Sequence, residues 1–286
     1  MPPKVLTITN QKGGTGKTTL TALLGHALVA RGYNVLLMDL DPQSHLSSFF
    51  LKITDLENVR DGIIEMAQGV KFVIRKVDTS TRGRMGIIPS GLNYIVNTYR
   101  GMIPSWDPYA INSRIQMEPA INRDYNFILC DTPPELFPPT IWGLYAADYV
   151  LVPSNLEELS LAGVKLLVKD ILPDVIMKSK KELKILGIIV INVTRKVSGN
   201  TLNSVDHAFT KFLHQLPPTV RERFYKKPFF NTIIYRYEEL KDLMYRPRRW
   251  ELPLNRVMER NNELRQNIDT LAREVLERVE NFEGLT

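Results

Sequence analysis

Residues 10–19 read NQKGGTGKTT, and no other stretch constrains the fold of this chain so tightly. The glycines lie between a short β-rich apolar run, VLTIT at 5–9, and a helical pattern that runs from Lys17 to Arg31. In such a passage Gly13, Gly14 and Gly16 let successive backbone N–H groups converge on one point, and the helix N-terminus adds partial positive charge. The result is an anion cradle running from Lys12 through Thr15 to Thr19. Lys17 opens the helix within reach of β- and γ-phosphate oxygens, and the Thr18 hydroxyl suits a Mg²⁺ ion. Two departures from the usual spacing stand out. Gln11 occupies a position where glycine is expected, and a second lysine, Lys12, precedes the glycines.

Strand-like and helix-like runs continue to alternate downstream. VLLM at 35–38 leads into Asp39; GIIPS (86–90), NFILCD (126–131), DYVLVP (148–153) and ILGIIVIN (185–192) also read as strands. Helical patterns lie between them, clearest in LAGVKLLVKDIL at 161–172. Continuous apolar strands separated by helices predict an α/β fold: a single-domain P-loop NTPase with a mostly parallel twisted sheet covered by helices on both faces. The whole span 1–286 reads as one domain, least legible over 52–125. An amphipathic helix is expected over about residues 254–282, with Ile268, Leu271, Ala272, Val275, Leu276 and Val279 on its apolar face.

Composition removes several alternatives. The chain has 286 residues, 44% hydrophobic and 24% charged, enough for one sizeable core. No apolar run approaches the roughly 20 residues that span a bilayer, and the first residues lack the pattern of a secretory signal. A cytoplasmic protein is expected. One cysteine, Cys130, excludes an internal disulfide framework, a cysteine-only zinc site within one chain and a C-x-x-C redox pair. The net charge of +6 is unevenly placed: residues 221–250 hold nine basic and four acidic side chains, the last nineteen two and five.

With a triphosphate and Mg²⁺ in the cradle, the remaining chemistry belongs at the carboxyl ends of neighbouring strands. Asp39 ends one strand, with Asp41 on the loop two residues later, and Asp131 ends another before Thr132-Pro133-Pro134. Each alone is equally a turn or cap residue. Together, beside a phosphate loop, they place Thr18, Asp39 and Asp131 around the metal and let Asp41 polarise the attacking water. Lys12 lies at the opposite end of the loop from Lys17. Facing a second nucleotide across a two-fold axis, it would neutralise transition-state charge in trans, as an arginine finger does; the alternative is a solvated lysine.

At these residues the chain resembles a known family. QKGGTGKTT is similar to the deviant Walker A motif, K-G-G-x-G-K-[ST]-T, of the ParA/MinD group of P-loop ATPases. LLMDLDPQ resembles its D-x-D-P-Q stretch and ILCDTPP its D-x-P-P Walker B segment, both most like the short ParA forms that partition DNA. DYVLVPSNLEELSLAGVKLL resembles the strand and helix after switch II, and ILGIIVINVT the adenine-side strand, with Asn192 at the usual base contact. Tyr235 stands where the family usually has proline, and Glu239 where it often has arginine.

The resemblance implies an Mg²⁺-dependent ATPase of plasmid or chromosome segregation, with Lys12, Lys17 and Asp41 catalytic. It also implies an ATP-sandwich homodimer that binds DNA without sequence preference, a nucleoid-associated location, and hydrolysis stimulated by a ParB-like centromere-binding protein. From charge alone, Arg195, Lys196, Lys226, Lys227, Arg246, Arg248 and Arg249 are the candidate DNA contacts. The rival reading is a MinD-like membrane-cycling ATPase, which needs basic residues flanking an amphipathic C-terminal helix. Here the last nineteen residues are acidic and carry only Arg273 and Arg278 as basic side chains, so no membrane partner is expected. Iron–sulfur carriers sharing this loop need cluster cysteines, which Cys130 alone does not supply. A bacterial-type tyrosine kinase needs a tyrosine-rich tail, and none is seen.

Overall fold

Apolar runs of four to ten residues, bounded by turn formers, become all but one of the strands of one sheet. A computed structural model describes residues 2–79, 81–92, 107–136, 138–179, 181–194, 197–237, 240 and 260–284. Its strands are β1 (Lys4–Ile8), β2 (Val35–Asp39), β3 (Arg75–Val77), β4 (Met85–Ile88), β5 (Phe127–Asp131), β6 (Tyr149–Ser154), β7 (Lys184–Val193) and β8 (Phe229–Tyr235). They lie in the order β3-β4-β2-β5-β1-β6-β7-β8, and each neighbouring pair is parallel except β3–β4.

The helices are α1 (Lys17–Ala30), α2 (His45–Ser48), α3 (Ile53–Glu57), α4 (Ile63–Ala67), α5 (Ala110–Met117), α6 (Pro119–Asp124) and α7 (Pro138–Ala146), then α8 (Glu158–Leu166), α9 (Leu172–Lys178), α10 (Gly199–Leu213), α11 (Pro218–Arg221) and α12 (Asn262–Glu283). The helical run expected at 161–172 is longer and interrupted: a π-helical turn, Leu167–Ile171, joins α8 to α9. Pro173 follows directly and has no N–H to continue the α-helical ladder.

Side chains alternate between the two faces of the sheet, and helices cover both. On one face Leu6, Leu37, Leu129 and Ile189 pack against α1 and α12. On the other, Val150, Ile188 and Val190 meet α8, α9 and α10, while Val5, Met38 and Ile128 meet α4 and α5. Cys130 is fully buried there, and burial pushes its thiol pKa up to about 12, so it behaves as a small apolar side chain. The stretch 52–125 contains α3 to α6, β4 and the antiparallel strand β3. The last is three residues, RKV, with no fully buried position and hence no hydrophobic pattern to read.

α12 starts later than its periodicity suggests. The Asn261 side chain accepts the Leu264 N–H at 2.9 Å and caps a helix that begins at Asn262; residues 254–259 lie outside the described residues. Leu264, Ile268, Leu271, Ala272, Val275 and Val279 are buried against the sheet and α1. Arg278, a charged residue on the same helix, is only 2% exposed. Its guanidinium donates to the carbonyls of Leu186 (2.6 Å), Lys227 (3.0 Å) and Phe229 (2.7 Å) and to Glu274 Oε1 (3.0 Å), and it stacks 3.8 Å above the Phe230 ring. Glu274 in turn accepts the backbone N–H groups of Asn231 (2.8 Å) and Thr232 (3.0 Å). This pair ties α12 to β7 and β8 with its hydrogen-bonding capacity used. Arg278→Ala removes the cation beside the part-buried Glu274 carboxylate and one donor from each of three carbonyls, and is expected to lower the unfolding free energy by about 3–5 kcal/mol in urea titrations; a change below about 1 kcal/mol would contradict this assignment.

Candidate nucleotide site

β1 lies between β5 and β6, so the chain leaving Ile8 emerges in the middle of the sheet's carboxyl edge. The turn into α1 uses positive φ at Gly14 (73°) and Gly16 (87°). The positive φ favours glycine at position 16, and a Cβ there would also crowd the Ile191 side chain at 3.2 Å. A Cβ at Gly13 or Gly14 would meet nothing within 4 Å, so the loop borders open space. No side chain caps α1 and no acidic residue stands in its first turn. Its unpaired first-turn N–H groups are therefore suited to an exogenous anion.

Lys17 is 7% exposed and folds back over the loop, donating to the carbonyls of Asn10 (3.1 Å) and Lys12 (2.9 Å). Burial pulls its pKa down, against the opposing pull of Asp131, Asp41 and Glu135. The Thr15 hydroxyl donates to the same Lys12 carbonyl at 3.3 Å. Asn10 fixes the base of the loop by donating its amide to the Pro153 carbonyl at 2.7 Å.

The three aspartates come together at the same edge, in different states. Asp39 and Asp131 are register partners at the ends of β2 and β5, and both are fully buried. Asp39 accepts the Ser47 N–H (2.7 Å), the Ser47 hydroxyl (2.6 Å) and the Asp41 N–H (3.2 Å). Burial still pushes its pKa to about 7. Among the described residues neither oxygen of Asp131 has a hydrogen-bond partner. Burial and then the neighbouring Asp39 carboxylate push its pKa well above the usual range, with Thr18 and Lys17 pulling the other way. A buried carboxylate with two open oxygens facing a threonine hydroxyl fits a hard divalent cation. Asp39 differs from Asp131 in accepting three hydrogen bonds, two on Oδ2 from Ser47 and one on Oδ1 from the Asp41 N–H. Asp41 is 6% exposed, with Oδ1 accepting the Gln43 N–H at 2.9 Å and His45 Nδ1 4.0 Å from Oδ2.

The other expected site residues are more scattered. Lys12 stands at the loop's rim, with its ammonium 2.9 Å from Glu157. Asn192, left-handed at φ 62°, donates its amide to the Gly14 carbonyl at 3.4 Å, which joins the end of β7 to the loop. Tyr235 pairs with Val193 at the end of β8. Lys226 and Lys227 precede β8, beside the amino-terminal half of β7, so they lie towards the sheet end opposite the loop. Lys227 is engaged with Asn231. Arg195, Lys196, Arg246, Arg248 and Arg249 lie outside the described residues. Sequence reasoning missed Asn10, Ser47, Glu157 and Gly163. A Cβ on Gly163 would come 2.5 Å from Asn10 Oδ1, which lets α8 press directly on the start of the loop.

A glycine loop leaving a central parallel strand, an uncapped helix start, an inward lysine and strand-end aspartates define a P-loop nucleoside triphosphatase. A family model described as AAA domain matches residues 3–185. The sporulation initiation inhibitor protein Soj of Bacillus subtilis is 31% identical over 173 residues, 59% of this chain and 64% of Soj; the match thus spans just under two thirds of that relative. The solved structure of pNOB8 ParA superposes with a TM-score of 0.83 over 98% of this chain and 99% of that one, at 24% identity. The same protein bound to nonspecific DNA gives 0.82 over the same shares, at 22%. Cobyrinic acid a,c-diamide synthase of Mycobacterium smegmatis, with bound ADP and magnesium, gives 0.64 over 85% and 91%, at 26%. The chain belongs to the ParA/MinD family of P-loop ATPases.

The raised carboxyl values have a thermodynamic sign. A buried acid that prefers its neutral form contributes stability at low pH, and that contribution is lost as pH rises through the unfolded value near 4 towards the folded one. Without nucleotide or Mg²⁺, Asp131→Asn is expected to melt higher than wild type at about pH 8, by at least about 1 kcal/mol, with the gap closing near pH 4. Calorimetry across that range checks it; a variant less stable at every pH would mean that Asp131 has structural partners.

Proposed function

We propose that this chain is a ParA-type partition ATPase. In its ATP state it forms a face-to-face homodimer that binds DNA without sequence preference. Hydrolysis, stimulated by a centromere-binding partner, resets it to a DNA-free form. The observation that carries this reading is the division of labour between the two lysines of one loop. Lys17 is folded inward on the loop carbonyls, whereas Lys12 stands at the rim with its ammonium outside the cradle. An inward lysine serves the chain's own triphosphate; a rim lysine has reach towards a nucleotide held by a second copy.

Within one protomer, the amides from Gly13 to Thr19 and the Lys17 ammonium would hold the phosphates, with Asn192 near the base. Asp131 and Thr18 would hold Mg²⁺, and Asp39 would orient from behind through Ser47. The bound ion would supply charge neutralisation at the phosphate oxygens. Asp41 would orient and polarise a water; in support, its Oδ1 accepts the Gln43 N–H at 2.9 Å and, among the described residues, its Oδ2 faces only the His45 imidazole at 4.0 Å. Support for ADP and magnesium comes from the diamide synthase, and support for DNA from the complex of pNOB8 ParA. The membrane-cycling alternative is disfavoured by α12, whose apolar face is already buried against the sheet and so offers no surface to lipid.

Lys17→Ala is expected to abolish ATP binding in calorimetric titration, and retained affinity would contradict the cradle. Asp41→Ala is expected to keep ATP binding while losing at least about 100-fold in turnover; normal turnover would place the water elsewhere. DNA binding is expected to require ATP and to weaken with salt, by about 0.9 log units per log unit of salt for each phosphate contacted. Equal DNA affinity of the apo and ATP forms would indicate a passive basic surface.

A further inference from the structure

The main chain and side chain of Lys12 are held by different parts of the molecule. Its carbonyl accepts Lys17 Nζ at 2.9 Å and Thr15 Oγ1 at 3.3 Å, which fixes its backbone within the loop. Its ammonium turns away to Glu157 Oε2, 2.9 Å distant, in a pair whose lysine side chain is 25% exposed and whose glutamate is 64% exposed. We infer that Glu157 is a positioning residue that tethers Lys12 to its own protomer and competes with delivery of that ammonium to a nucleotide held by a second copy. The inference rests on the trans role proposed above for Lys12.

The corner that presents Glu157 is built for this placement. Glu157 occupies the extended position immediately before α8, and Leu156 before it is left-handed at φ 62°, a conformation that side chains with a Cβ adopt at a cost. Two short-range bonds hold the corner: Ser154 Oγ accepts the Leu156 N–H and Asn155 Oδ1 accepts the Glu157 N–H, each at 3.3 Å. Ser154 and Ser160 share a hydroxyl–hydroxyl bond at 3.0 Å across it. The same segment grips the loop, because Asn10 donates to the Pro153 carbonyl at 2.7 Å and Gly163 presses on Asn10. Loop start and α8 corner therefore form one packed unit, in which the carboxylate is aimed at the rim lysine. Lys12 in turn holds the Glu157 carboxyl below its usual range through their hydrogen bond.

The strength of the tether suits a competitor. An ion pair this exposed contributes about a two- to fivefold preference for the closed pair. A triphosphate carries several charges and displaces a single carboxylate from such a contact. A face-to-face dimer would release two tethers, so the factor squares to about 4- to 25-fold in its dissociation constant.

Glu157→Gln keeps the shape and removes the charge, and two readouts on the intact chain test it. First, acylation of Lys12 in the nucleotide-free protein, followed by peptide mass spectrometry with the other lysines as internal scale, is expected to run about two- to fivefold faster in the variant. Equal rates would overturn the tether. Second, sedimentation with a non-hydrolysable ATP analogue is expected to show the variant dimerising about 4- to 25-fold more tightly. That gain is expected to vanish when both proteins also carry Lys12→Ala. A gain that survives removal of Lys12, or no gain while wild type dimerises normally, would overturn the competition. If neither protein dimerises, the paired-protomer reading fails and the competition with it, while the acylation rates separately decide whether the tether exists.

Discussion

Desolvated charge at the carboxyl edge of the sheet governs the organisation of this molecule. One ammonium and two carboxylates, those of Lys17, Asp39 and Asp131, are buried within a few strands of one another. Lys17 donates to loop carbonyls rather than to either aspartate, Asp39 accepts from Ser47 and Asp41, and Asp131 has no hydrogen-bond partner among the described residues. Such an arrangement is costly to fold unless something of complementary charge joins it. A metal–phosphate group would supply both signs: anionic oxygens for the loop amides and Lys17, and a cation for Asp131. The site is thus arranged for a charge distribution that the polypeptide alone lacks.

The rest of the fold supplies the rigidity this arrangement demands. Strands buried on both faces hold Asp39 and Asp131 in register, and Gly16 lets α1 start against Ile191 of β7. Far from the loop, α12 closes one face of the sheet. It is anchored by the Arg278–Glu274 pair near β7 and β8 and by Glu283, which binds both Lys4 and Tyr149 at the amino ends of β1 and β6. These contacts involve no site residue, so the platform and the chemistry are separable.

What could be read from the amino acids alone follows a physical rule. Features carried by neighbours in sequence were legible: the glycine loop, the apolar runs ending in Asp39 and Asp131, and the 3.6-residue stripe of α12. Features made by long-range contacts were not. Arg278 looks like a surface cation until Leu186, 92 residues earlier, is seen to accept its hydrogen bond, and Glu157 meets Lys12 across 145 residues. Ser47 carries no local mark as the residue that donates twice to Asp39. The strand Arg75–Val77 was missed because an exposed edge leaves no alternation to detect. Basic residues were found by count alone, and count did not show that Lys226 and Lys227 lie towards the sheet end opposite the loop.

The central claim is that the rim lysine of one copy completes the site of another. Mixing two inactive variants, Lys12→Ala and Asp41→Ala, tests it most directly. A heterodimer would hold one site with an intact Asp41 that receives Lys12 from its partner. With random pairing the account predicts that the mixture recovers about a quarter of wild-type ATP turnover. A mixture as inactive as either variant alone, under conditions where the two proteins demonstrably associate, would contradict it.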